Sequence, residues 1–141
     1  MNVVLDTNIW ISAWLWRGIP NNLIRLARNK QIIICTSEPL LAELAGTLAY
    51  KKLQKKIQSL NVTQELLLLG TREITEIYSI SDLNVPELRD PDDSIVLATA
   101  IAAQAEVIIT GDLDLLSLVE YKNVQILNAK DFLQRYFGKY L

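Results

Sequence analysis

Short apolar runs that alternate with longer stretches of helical periodicity constrain this chain more than any other feature. Residues 2–5, 31–35, 106–110 and 124–127 each read as a strand bounded by polar residues. Their apolarity is continuous rather than alternating, which suits a parallel sheet covered on both faces. A fifth short strand is expected near residues 78–81. Helical patterns lie between the strands, over residues 8–15, 20–29, 51–60, 63–78, 92–104 and 131–136. A further helix starts at Thr36 or Ser37 and runs to Ala49, with Pro39 tolerated in its first turn. Strands alternating with helices predict an α/β fold, a three-layer α/β/α sandwich around a parallel sheet. With 141 residues, no repeat and no Pro/Gly/Ser-rich linker, the expectation is a single domain over residues 1–141.

Composition narrows the chemistry. Half the residues are apolar, enough for a buried interior without disulfides. The one cysteine, Cys35, sits in an apolar run and has no intramolecular partner, which fits a reducing cytoplasm. Asp6 interrupts the opening apolar run, so no signal peptide is expected, and no stretch reaches the length of a membrane span. The net charge of −2 gives no global basic signature. The absence of histidine removes Ser-His-Asp and Cys-His catalysis and any imidazole zinc site. A metal site here has to be built from oxygen ligands, which select Mg²⁺ or Mn²⁺.

The carboxylates then sort themselves by topology. Asp6 follows the first strand directly, and Asp112 follows the strand at residues 106–110 after Gly111. Glu43 falls in the second turn of the helix that leaves the strand at residues 31–35. The helix carrying Asp93 runs antiparallel to the strand after it, so its acidic start, with Asp90 and Asp92, belongs at the same edge. That edge is the C-terminal one, where open α/β sheets hold their ligands. Two carboxylates about 4 Å apart repel by roughly 4 kcal/mol at an effective dielectric near 20, so four such groups call for cations. Each acid also has an ordinary reading: Asp6 as a helix cap, Glu43 as a solvated helix face, Asp90, Asp92 and Asp93 as complements to a helix dipole, Asp112 and Asp114 as turn residues. Four such coincidences at one edge are much less common than one.

These residues resemble a known family over nearly the whole chain. Val3-Val4-Leu5-Asp6-Thr7-Asn8 looks like the first acidic motif of PIN-domain proteins. Glu43, within Leu40-Leu41-Ala42-Glu43-Leu44, looks like the second. Asp90-Pro91-Asp92-Asp93-Ser94 and the apolar helix after it resemble the third, and Thr110-Gly111-Asp112-Leu113-Asp114 the fourth. The nearest likeness is to the VapC-like toxin components of prokaryotic toxin–antitoxin systems. The resemblance implies a Mg²⁺- or Mn²⁺-dependent endoribonuclease acting on single-stranded RNA, partnered by a small antitoxin and often a homodimer. It carries Asp6, Glu43, Asp93 and Asp112 over as metal ligands, and Asn8 and Thr110 as polar groups that orient ligands or water. Asp93 is preferred to Asp90 as ligand, because a residue before proline disfavours the helical conformation. Asp90 and Asp114 are then supporting acids.

Two surface patterns complete the reading. Lys51, Lys52, Lys55 and Lys56 put four positive charges within six residues, following the Glu43 helix. They are an ordinary solvated face or a phosphate-binding wall for RNA, with Arg17, Arg25 and Arg28 as weaker candidates for an opposite wall. Trp10 and Trp14, at i and i+4, share a helix face, and with Trp16 they are either core or a partner surface. The alternatives to a toxin are a PIN-type nuclease of RNA maturation or decay, and a non-catalytic protein that keeps the fold. A phospho-receiver is disfavoured because no aspartate occurs between Asp6 and Asp82.

Overall fold

The computed structural model describes residues 1–81 and 91–138. A six-stranded sheet runs through it in the order β3-β2-β1-β4-β6-β5. Its strands are β1 (Asn2–Leu5), β2 (Ile33–Thr36), β3 (Thr75–Ile77), β4 (Val107–Ile109), β5 (Glu120–Tyr121) and β6 (Val124–Leu127). All neighbours pair in parallel except β5, which forms an antiparallel edge with β6. The helices are α1 (Thr7–Ile11), α2 (Gly18–Arg28), α3 (Glu38–Leu48), α4 (Lys51–Ser59), α5 (Gln64–Glu73), α6 (Pro91–Ala102), α7 (Leu113–Leu116) and α8 (Ala129–Phe137). The expected three-layer α/β/α sandwich is the observed architecture.

Side-chain alternation along the strands builds the two interfaces. Val3, Leu5, Ile34, Val107 and Ile109 face a core shared with α2, α3, α4 and α8, where Leu23, Leu44, Ile57 and Phe132 are buried. Val4, Cys35, Ile108 and Ile126 face the other way, against Val96, Leu97 and Ala100 of α6 and Leu115 of α7. Neither interface leaves a polar strand face, which accounts for the unbroken apolar runs in the sequence.

Capping residues set the helix starts. Ser37 caps α3 through Leu40 N–H, with Pro39 in the first turn where no backbone donor is needed. Thr63 caps α5 and Asn128 caps α8 in the same manner. Ser37 also bonds Thr99 of α6 at 2.8 Å, both side chains buried, so one hydroxyl pair ties the starts of β2's crossover to the helix on the same face.

Three expectations shift. The helix expected over residues 63–78 stops at Glu73, and the fifth strand lies at Thr75–Ile77 rather than at 78–81. Thr75, Glu76 and Ile77, two of them β-branched, pair with β2 there, and pairing outweighs the helical period. Of the leucines at 66–69 only Leu67 is buried; Leu66 and Leu69 face solvent. The helix expected over residues 8–15 is α1 followed by a π-helical turn, Ser12–Trp16, which ends at Arg17 with φ of 61°. The short α7 and the β5 edge carry too few residues to show a period in the sequence.

Candidate active site

Asp6 is the first residue past β1, and it is buried. It caps α1: one carboxylate oxygen accepts from Thr7 N–H at 2.8 Å, and the other accepts from the Thr110 hydroxyl at 2.7 Å. Thr110, fully buried at the end of β4, in turn accepts from the backbone N–H of Asp112 at 2.9 Å. A single hydroxyl therefore joins the ends of two adjacent parallel strands and fixes where Asp112 begins α7. Asp112 caps that helix, accepting from Asp114 N–H and Leu115 N–H. The capping role and a ligand role are compatible, because each carboxylate oxygen has two lone pairs.

Asp93 enters from the other side of the chain's topology. It lies in the first turn of α6 and is buried. One oxygen each from Asp93, Asp112 and Asp114 lies within 4.8 Å of the others. The sequence set Asp114 beside Asp112 as a supporting acid; the fold puts it in the cluster itself. The cap contributes, since the Asp112 carboxylate accepts from Asp114 N–H at 2.8 Å and holds that backbone against it. Glu43 lies half-buried on α3, which packs against both α1 and α6, and its Oε2 is enclosed by protein. Asp90 falls outside the described residues.

The donor set suits a hard divalent cation. Three carboxylates with no imidazole or thiolate among them match Mg²⁺ or Mn²⁺ in ligand type. Cys35 takes no part: it is buried in β2, and burial with the nearby Glu76 carboxylate pushes its thiol up to about 11.

Around the acids, Asn8 is exposed on α1. It lines a cleft of about 430 Å³ together with Trp16, Thr47, Tyr50 and Lys52. Lys51, Lys52 and Lys55 are exposed on α4, opposite its buried Leu53 and Ile57. Arg28 is not part of an opposite wall. It lies over Trp14 and lines a depression with Lys30 and Ile33 at the start of β2, the sheet edge away from the acids. Trp10 is core, stacked on a half-buried Trp14 whose indole N–H donates to Thr71. Trp16, which the sequence left as core or partner surface with the other two, is the exposed one, and the equally exposed Tyr50 did not stand out in the sequence. Both lie at breaks between helices, where periodicity assigns no face.

A mostly parallel α/β sandwich with carboxylates gathered at its C-terminal edge defines the class, and the chain belongs to the PIN-domain family, whose profile matches residues 2–114. The fold is similar to a chain in the crystal structure of VapBC2 from Rickettsia felis bound to a DNA fragment from their promoter. The two align with a TM-score of 0.61 at 24% identity, over 91% of this chain and 98% of that one. No curated protein sequence matches.

Proposed function

We propose that this protein is a Mg²⁺- or Mn²⁺-dependent endoribonuclease that hydrolyses phosphodiester bonds of single-stranded RNA, as the toxin of a toxin–antitoxin pair. The observation that carries the reading is the convergence of Asp93, Asp112 and Asp114, with Asp6 tied to the same edge through Thr110. Asp6, Glu43, Asp93 and Asp112 hold the cation in this reading, and Asp114 joins them. When bound, the ion lowers the pKa of a water and offsets charge on a phosphate oxygen. The residues do the rest. Thr110 and the α1 cap fix the Asp6 carboxylate, while Asn8 and Thr110 supply polar atoms that orient ligands or water. Lys51, Lys52, Lys55 and Lys56 supply backbone attraction that the acidic centre lacks.

Likeness to a VapBC2 chain supports a VapC-like role with a small antitoxin as partner. A reduced, buried Cys35 fits action in the cytoplasm. Among the described residues no helix is long and apolar enough to cross a membrane.

The test is incubation of purified protein with mixed RNAs in Mn²⁺, in EDTA, and as Asp6→Asn. Cleavage is expected in Mn²⁺ alone, with wild-type protein alone. Cleavage that survives both the chelator and the substitution overturns the carboxylate mechanism. Growth arrest on expression, relieved by a neighbouring gene, tests the toxin role separately.

A further inference from the structure

We propose that the cleft framed by Trp16 and Tyr50 is a nucleobase subsite, holding one unpaired base of an RNA strand whose backbone continues to the acidic edge. The proposal rests on the nuclease reading for its substrate class and adds where that substrate is gripped. Four observations carry it.

The cleft has room, at about 430 Å³, and two aromatic side chains, Trp16 and Tyr50, line it with Ile11 and Leu53. Trp16 is 55% exposed and Tyr50 53% exposed, although Trp10 in the same segment is buried. Each ring has an ammonium over one face: Lys56 Nζ lies 5.6 Å from the centre of Trp16, and Lys52 Nζ lies 5.8 Å from that of Tyr50. Aromatic rings stack on any base, and ammonium groups meet the phosphates on either side of it, which is how single strands are held without sequence readout. An apolar partner helix would have to desolvate both lysines, so charge favours a polyanion.

Continuity with the acids is the third observation. Asn8, on the cleft wall, lies two residues after Asp6 on the helix that Asp6 caps. Thr47, which also lines it, is one turn beyond Glu43 on α3 and shares its side of the helix. The cleft is therefore lined by the helix that follows Asp6 and the helix that carries Glu43.

Finally, the turn that presents Trp16 is specified by the fold. Its π-helical turn closes at Arg17, whose φ of 61° is a conformation an L residue rarely adopts. Strain of that kind persists only where surrounding structure enforces it.

The experiment measures binding of a short, fluorescein-labelled, single-stranded oligoribonucleotide by anisotropy in EDTA, so that no strand is cut. Trp16→Ala and Tyr50→Ala are each expected to weaken binding by about tenfold, and Trp16→Phe to restore most of it. An abasic nucleotide scanned along the strand is expected to weaken wild-type binding at one position and to leave Trp16→Ala binding unchanged there. Circular dichroism checks that the variants are folded, as exposed side chains should allow. Wild-type affinity in both alanine variants overturns the proposal and leaves the cleft to a protein partner. Failure of the wild-type protein to bind RNA also overturns it. Cleavage in Mn²⁺ is scored separately, so a nuclease without a base subsite is distinguished from a protein that is no nuclease.

Discussion

At the scale of single residues, Thr110 does more than its chemistry advertises. Its hydroxyl donates to the Asp6 carboxylate and accepts from Asp112 N–H, so one buried group sets the separation of two acids that are 106 positions apart in sequence. Thr110→Val keeps shape and strand propensity but removes both bonds. The expected cost is about 1–3 kcal/mol, the usual loss when a buried donor or acceptor is left without a partner. Urea unfolding in EDTA measures it. Activity should fall further than stability does, because the Asp6 carboxylate then loses the Thr110 bond that helps to set its orientation. Thr110→Ser, which keeps the hydroxyl, should recover most of the activity. A Val variant as stable and active as wild type would show that the bridge carries neither role.

At the scale of elements, the π-helical turn Ser12–Trp16 decides which tryptophan goes where. A straight α-helix would keep Trp10 and Trp14 on one face and rotate Trp16 to another. The observed turn still stacks Trp10 on Trp14, with ring centres 6.2 Å apart, and anchors the second ring to α5. The Trp14 indole N–H donates to Thr71 at 3.0 Å, and Gly70 lies beneath the same ring, where an added Cβ would meet it at 3.5 Å. Trp14→Phe is expected to cost roughly 1 kcal/mol for the lost bond, plus a packing term for the smaller ring. Hydrogen exchange should then rise in α5 and in the turn before it rises in the sheet. Uniform destabilisation with no local opening would mean that the anchor does not couple the two elements. The same element scale explains the misplaced strand. A helical period runs through residues 63–78, but a free strand edge on β2 is a stronger claim on Thr75–Ile77 than a period is.

At the scale of the whole molecule, the sheet order places β1 and β4 side by side at its centre, so Thr110 after β4 can bond both Asp6 after β1 and the backbone of Asp112. The cluster of Asp93, Asp112 and Asp114 at that edge has a thermodynamic signature. Asp112→Asn preserves the α7 cap, since asparagine caps as well as aspartate, but removes one of three clustered charges. In EDTA the variant should therefore melt above wild type. In Mn²⁺ at about a hundred times its Kd, wild type should gain about 2.7 kcal/mol, several degrees in Tm, and the order should reverse. Differential scanning calorimetry in the two buffers checks it, and identical curves would remove the case for a cation site. What the sequence determined by itself was the layer architecture and the places of Asp6 and Asp112, just past β1 and β4. Those follow from periodicity and strand direction, which are local properties of the chain. Only the tertiary structure decided that Asp114 belongs to the cluster, that Thr110 ties Asp6 to the start of α7, that Arg28 lies at the far edge and that Trp16 rather than Trp10 meets solvent. Each of those depends on where a helix starts or how a turn is wound. Such choices are settled by which partners packing brings within reach, and no local pattern records them.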